Sequence, residues 1–232
     1  MGNYPTGARP LLVEETARRR RIEAKFVSML EAAGFAEIVL PIIDFADPYA
    51  GVTDRGAARH SYRFVDRDGE IVSIRSDFTP MVARALAPSI DASSLPSRVF
   101  YRGDVIRCET TRLGANREMF QIGAELIGDA SRDADLAMLR LVSNIASAFI
   151  KDPVVVHTDP HIADFEPHFD DFVLHADADE DRGYYTGLRF WVYGAGKRTP
   201  FAQGGRYDAL YGRFGTAAPA IGFTFTIDDL ED

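Results

Sequence analysis

The chain has 232 residues, 46% of them hydrophobic and 26% charged, enough for a substantial core and too well mixed for a disordered, collagen-like or coiled-coil protein. Its 26 Lys and Arg against 35 Asp and Glu leave a net charge of −9, which argues against a chain whose main work is gripping nucleic-acid phosphates. No apolar run approaches the roughly 20 residues of a membrane helix.

Residues 14–33 read as a helix, because Ile22, Phe26, Met29, Leu30 and Ala33 share one apolar face and Gly34 supplies a stop. Within it, Arg18 to Arg21 reads as a solvated face, neutralised by Glu14, Glu15, Glu23 and Glu31. The apolar run 37–43, interrupted by Pro41, suits an edge strand or a strand end. Phe64-Val65 and Ile71 to Ile74 flank Asp66-Arg67-Asp68-Gly69, the pattern of a hairpin. A helix over 79–87 and a Ser- and Pro-rich loop over 88–97 follow. Strands over 98–107 and 118–127 then form a long-looped antiparallel hairpin. Residues 132–150 give a second long helix, with Leu136, Leu139, Val142, Ile145 and Phe149 on one face. Val154 to Val156 is a short strand, 157–182 has no clean period, and 188–193, 201–205 and 220–227 return to strands. Without regular βαβ alternation, this order predicts one α+β domain over 1–232, its mostly antiparallel sheet flanked by helices.

Nine carboxylates and one arginine lie between Asp159 and Arg182, so −8 of the −9 falls in those 24 residues. His157, His161, His168 and His175 sit in or beside this segment, but Pro160 and Pro167 break any continuous helix. They read as solvated surface, and no metal is expected. The single cysteine, Cys108, excludes an intrachain disulfide and reads as a small buried hydrophobe on a strand. With no signal-peptide pattern in residues 1–10, a reducing cytoplasm is the expected location.

Alternation along the 98–127 hairpin puts Gln121 and Glu125 on one sheet face, and Arg107 and Glu109 on one side. With Arg117, these residues make a surface for a small polar ligand: arginine offers a planar fork to phosphate or carboxylate, and glutamate accepts from an ammonium. A solvent-exposed face with compensating charges fits the same spacing, so both readings stay open here. Tyr184 and Tyr185 suit ordinary strand aromatics as well as ligand contacts. Gly204-Gly205 reads as a tight strand connection.

The stretch RGDVIRCETTRLGANREMFQIGAELIG, residues 102–128, resembles motif 2 of class II aminoacyl-tRNA synthetases in its histidyl form. GFAEIVLPIID resembles motif 1, and IRSDFTPMVAR resembles the amino-acid-binding strand and helix. YYTGLRFWVY, GGRYDALYGRFG and PAIGFTFTIDDL resemble the later strands and motif 3, in order to the C-terminus. The resemblance implies the class II synthetase-like catalytic-domain fold. It also implies a histidine pocket in which Asp77 meets the ammonium and Thr79 adds a hydroxyl. Gln121 and Glu125 would face the amino acid and its imidazole, and Tyr185, with Tyr184 beside it, would close over the ring. Arg107, Glu109 and Arg117 match the nucleotide or anion side.

Departures from the pattern bear on activity. Asp229 stands where a motif 3 arginine holds the ATP phosphates in the synthetase, and Glu180, close to Arg182, stands where a second arginine promotes adenylation. An anion in place of a cation at a triphosphate removes preorganised stabilisation, so no catalytic residue is expected. Only 58 residues separate Glu125 from Tyr184, and the chain stops at Asp232, so the family's insertion module and anticodon-binding domain are expected to be lacking. IRSDFTPMVAR and REMFQIGAELIG are similar to the non-synthetase branch, the regulatory subunits of ATP phosphoribosyltransferase, the first enzyme of histidine biosynthesis. That branch implies a non-catalytic protein that binds histidine and activates a short-form catalytic subunit. It further implies a homodimer paired through the motif 1 region, with no cofactor and no tRNA or membrane partner. The alternative is an amino-acid-activating ligase that adenylates through Arg107, Glu109 and Arg117.

Overall fold

A computed structural model describes residues 4–52, 61–108, 116–159, 172–174, 183–228 and 230. The first helix, α1 (Val13–Ala32), buries Ile22, Phe26 and Leu30 and carries Glu14 and Glu15 in its first turn, where negative charge suits the helix dipole. Gly34, at φ +83°, turns the chain away. The arginine run is more than a solvated face. Arg18 donates to the Leu230 carbonyl, Arg19 pairs with Asp228 and lies over the Phe120 ring at 5.2 Å, and Arg20 pairs with Glu23. The Arg18 and Arg19 contacts fasten α1 to the far end of the described chain.

Pro41 divides the next apolar run between two sheets. Before it, β1 (Ala36–Glu37) lies at one edge of the main sheet; after it, β2 (Ile43–Phe45) crosses to a smaller one. The expected hairpin is β3 (Arg63–Val65) and β4 (Ile71–Ile74), paired Val65 to Ile71. Its turn is held by Asp66 Oδ1, which accepts from the amides of Asp68 and Glu70 at 2.9 and 3.0 Å. Helix α2 (Thr79–Leu86) follows, then β5 (Ser97–Ile106) and β6 (Glu118–Ile127), paired over ten residues from Ser97↔Ile127 to Ile106↔Glu118.

Ser131 caps α3 (Arg132–Phe149) by accepting from the Ala134 amide at 3.2 Å, and the five apolar residues expected on one face of this helix are all buried. The remaining strands are β7 (Val154–His157), β8 (Phe172–Leu174), β9 (Arg189–Tyr193), β10 (Ala202–Arg206) and β11 (Ala220–Thr226). The main sheet runs β1-β5-β6-β11-β10-β9-β7-β8, parallel only at its two edge pairs, and the small sheet runs β2-β4-β3. The α+β arrangement with a mostly antiparallel sheet is as the sequence predicts. The rest of the acidic segment, with His161, His168, His175, Glu180 and Arg182, lies outside the described residues.

The two faces of the main sheet do different work. Ile122, Ala124 and Leu126 of β6 join Phe26, Leu139, Val142, Phe223 and Phe225 in the core beneath α1 and α3. Each of the larger of these side chains, fully buried, contributes on the order of 1.5–3 kcal/mol. The opposite face is covered by α2 and by residues 207–214, where Phe78, Val82, Tyr101, Tyr207 and Tyr211 pack together. Gln121, Gly123 and Glu125 point to that second face. Two details differ from expectation: Cys108 is partly exposed, because it follows the end of β5, and Gly204 and Gly205 lie inside β10.

Candidate functional site

A small pocket opens on the α2 side of the sheet. Asp77, Thr79, Arg107, Gln121, Tyr184 and Tyr185 all line it, so six of the residues singled out in the sequence meet there. The turn into α2 fixes the first two: Asp77 Oδ1 accepts from the Thr79 amide at 3.1 Å, and Tyr184 Oη donates to Asp77 Oδ2 at 3.3 Å. Glu125 lies beneath them, with Oε1 accepting from the Thr79 hydroxyl at 2.9 Å. Tyr184 packs against Tyr185 and, edge-on, against Tyr207, with centroids 4.8 and 5.6 Å apart.

Arg107 donates through Nε to the Ser76 carbonyl at 3.1 Å. Of the expected anion-side group, Arg107 lines the pocket; Arg117, whose carbonyl accepts from the Arg107 amide at 2.9 Å, sends its guanidinium to the Tyr62 hydroxyl, 2.9 Å away. Glu109 and Asp229 lie outside the described residues.

Sequence reasoning missed the other side of the pocket, which Gln203, Tyr207, Gly222 and Thr224 supply. The rule of two that picked out Gln121 and Glu125 picks out Gln203 with Gly205 and Gly222 with Thr224. The glycines act by close approach. Gly222 is paired with Glu125, and a Cβ there would overlap both Glu125 Oε2 and Tyr207 Oη; the Tyr185 ring lies over Gly205. Gly222→Ala is therefore expected to displace the Glu125 carboxyl and weaken ligand binding at least tenfold, on the order of 1–3 kcal/mol of overpacking. Calorimetry of the variant against the parent checks this, and unchanged affinity would count against the pocket.

Two buried arginines hold the frame. Arg75, 6% exposed, donates to the carbonyls of Asp104 (2.8 and 3.0 Å), Leu40 (3.0 Å) and Pro41 (3.3 Å) and stacks on Phe78 at 4.0 Å. It thereby ties β5 and the segment before β2 to the turn that carries Asp77. Arg206 pairs with Asp135 of α3, its Nε at 2.8 Å, and donates to the Asp129 carbonyl and Asp208 Oδ1 at 3.1 and 3.0 Å. That grip sets the position of the adjacent Tyr207.

The electrostatics are one-sided. Glu125 is 0% exposed, and among the described residues its Oε2 has no hydrogen-bond partner, nor have the hydroxyls of Tyr207 and Tyr211. Burial pushes the Glu125 carboxyl well above its ordinary range, and the Asp77 charge adds to that, against the Thr79 hydrogen bond. Burial raises Asp77 too, partly opposed by the Arg107 charge. Two carboxyls, a set of hydroxyls, aromatic walls and one guanidinium make a site suited to a small zwitterion, with its cationic end inward. The free space is about 10 Å³, room for a single water. Tyr184 and Tyr185, partly exposed, and Gln203, exposed, stand on its solvent side. A wider cleft of about 520 Å³ lies between α1 and the hairpin end of β5 and β6. Its Arg9, Arg19 and Arg20 are already paired with Glu15, Asp228 and Glu23, which leaves them little call for a ligand.

A family model described as histidyl-tRNA synthetase matches residues 7–165 and 168–230. An ATP phosphoribosyltransferase regulatory subunit from Moorella thermoacetica is 32% identical over 149 residues, 64% of this chain and 38% of that protein. A histidine–tRNA ligase from Rhodospirillum rubrum is 34% identical over 145 residues, 61% of this chain and 35% of that protein. The matched stretch thus spans little more than a third of either relative. A solved structure described as an ATP phosphoribosyltransferase regulatory subunit/histidyl-tRNA synthetase from Bacillus halodurans superposes with a TM-score of 0.85 at 20% identity, over 98% of this chain and 82% of that one.

Proposed function

The chain belongs to the histidyl-tRNA synthetase family and has the class II aminoacyl-tRNA synthetase fold, and from that premise we propose that it is a regulatory subunit of ATP phosphoribosyltransferase. In this reading it does no chemistry of its own, binds histidine, and activates a short catalytic subunit in histidine biosynthesis. The observation that carries it is the contrast between the two halves of the site. On the amino-acid side, Asp77, Thr79, Gln121, Tyr184 and Tyr185 line one small space and Glu125 lies buried behind Thr79, which supports this reading. On the nucleotide side, Arg107 is the cation that lines the pocket among the described residues, and Arg117 donates to Tyr62; a triphosphate is held best by several convergent cations. The name of the Moorella relative supports the same assignment.

In the ligand's place, Asp77 would take the ammonium, Glu125 the imidazole N–H, and Arg107 the carboxylate, with Tyr184 and Tyr185 walling the ring. The proposal includes a homodimer. Val39, 89% exposed, together with Ile42, Ile43, Phe45, Phe64, Val65 and Ile71, puts apolar side chains in water on and beside the small sheet, around the motif 1 segment. It also includes a cytoplasmic protein that engages no tRNA and a catalytic domain without the family's insertion module. Among the described residues no helix is long and apolar enough to cross a membrane.

Calorimetry with L-histidine should show saturable binding to the purified chain, and adding the chain to a short-form catalytic subunit should raise phosphoribosyl transfer to ATP. No activation would overturn the regulatory reading. Amino-acid-dependent exchange of pyrophosphate into ATP would establish the ligase in its stead.

A further inference from the structure

We propose that the ligand-free pocket stores one proton on the Asp77–Glu125 pair and gives it up to solvent when a cationic ligand binds, so that occupancy of the site is coupled to pH. The inference rests on the amino-acid reading for its ligand, whereas the stored proton is a property of the free protein.

Thr79 joins the two carboxyls, its amide donating to Asp77 Oδ1 at 3.1 Å and its hydroxyl to Glu125 Oε1 at 2.9 Å. The groups that face the pair come from every neighbouring element. β5 and its end supply Tyr101 and Arg107, the approach to β9 supplies Tyr184 and Tyr185, and the turn after β10 supplies Tyr207 and Tyr211; β11 adds Thr224, bonded to Tyr101 Oη at 2.6 Å. Arg107 is the one cation among these described residues. Its charge acts on Asp77, and its Nε is engaged by the Ser76 carbonyl. The other neighbours are hydroxyls, and burial raises Tyr101, Tyr184, Tyr185 and Tyr211 above their ordinary range, which keeps them neutral.

Arg107 thus balances one carboxylate, and among the described residues no cation balances the second, which meets only the hydroxyls of Thr79 and Tyr101. A buried carboxylate beside another, without a counter-ion, takes up a proton in preference to standing charged. Glu125 is the more deeply buried partner, with Oε2 unpaired, and it is the group that holds the proton. When an ammonium or a donated imidazole N–H arrives, the ionised carboxylate becomes the favoured form. The Glu125 O–H bond breaks, the electron pair stays on oxygen, and buffer or water takes the proton.

Calorimetric titration of L-histidine at fixed neutral pH, repeated in buffers of different ionisation enthalpy, reads the exchange directly. Release of about one proton per ligand is expected, and zero release or net uptake overturns the proposal. Infrared spectroscopy of the ligand-free protein tests the store without any ligand. A protonated-carboxyl band should be present at neutral pH in the parent and absent from Glu125→Gln, with folding of the variant confirmed by circular dichroism. If histidine fails to bind, the amino-acid reading falls while the infrared band still decides where the proton is; absence of a Glu125-dependent band overturns the proposal in either case.

Discussion

Glu125→Gln is expected to abolish measurable histidine binding while leaving the fold at least as stable at neutral pH. The amide preserves the shape and the acceptor for Thr79, but it presents no negative charge to the ligand. Truncating one partner of a buried hydrogen-bonded charge pair costs about 2–5 kcal/mol, or roughly 30-fold to more than 1,000-fold in affinity. Stability moves the other way. Folding raises the affinity of Glu125 for its proton above its ordinary value of 4.5. The stabilisation this gives is therefore complete below that pH and is lost as pH climbs through the folded value. Asp77, raised from 3.8, acts in the same direction. The variant lacks the Glu125 contribution, so its stability should decline less than the parent's as pH rises from about 4 to about 8. Urea midpoints across that range check this, and parallel curves for the two proteins would show that Glu125 ionises freely.

Arg206→Met is expected to be the most damaging single change to the frame, at about 3–5 kcal/mol of stability. It leaves Asp135 in α3 buried without its cation and removes the donor to the Asp129 carbonyl. Adding Asp135→Leu should recover most of the loss, since a well-packed apolar pair often replaces a buried ion pair at no net cost. Denaturant unfolding of the single and double variants decides the matter: a single-variant loss below about 1 kcal/mol would mean the pair is solvated in practice.

The sequence made the long elements plain because their signals are local. The buried stripes of α1 and α3 repeat within each helix, and Asp66 to Gly69 mark their own turn. Gln121 and Glu125 were equally legible, since alternation on a single strand places them together. Asp77, Thr79, Tyr184 and Tyr185 were reached by resemblance, because no periodicity joins residues so far apart. Tyr207 and the close approach at Gly222 depend on β11 lying between β6 and β10, a non-local order that no single strand encodes. The partner of Arg117 is equally non-local: the hairpin sets it beside Arg107, but Tyr62, to which its side chain donates, is 55 residues away. The arginines of α1 carry the same lesson, since the residues they hold, Asp228 and Leu230, stand at the other end of the chain.

Strand β6 is read in opposite phase by its two faces, the core taking Ile122, Ala124 and Leu126 while Gln121, Gly123 and Glu125 turn to the face that carries the pocket, Gln121 lining it. A slip of one residue against β5 or β11 would drive the glutamate into the apolar layer beneath α1 and α3 and turn the isoleucine and leucine outward. No misregistered sheet can satisfy both faces, so kinetic errors in pairing stay loose and reversible until the correct phase is found. The register that buries the core is thus the same register that brings Gln121 and Glu125 to the pocket face.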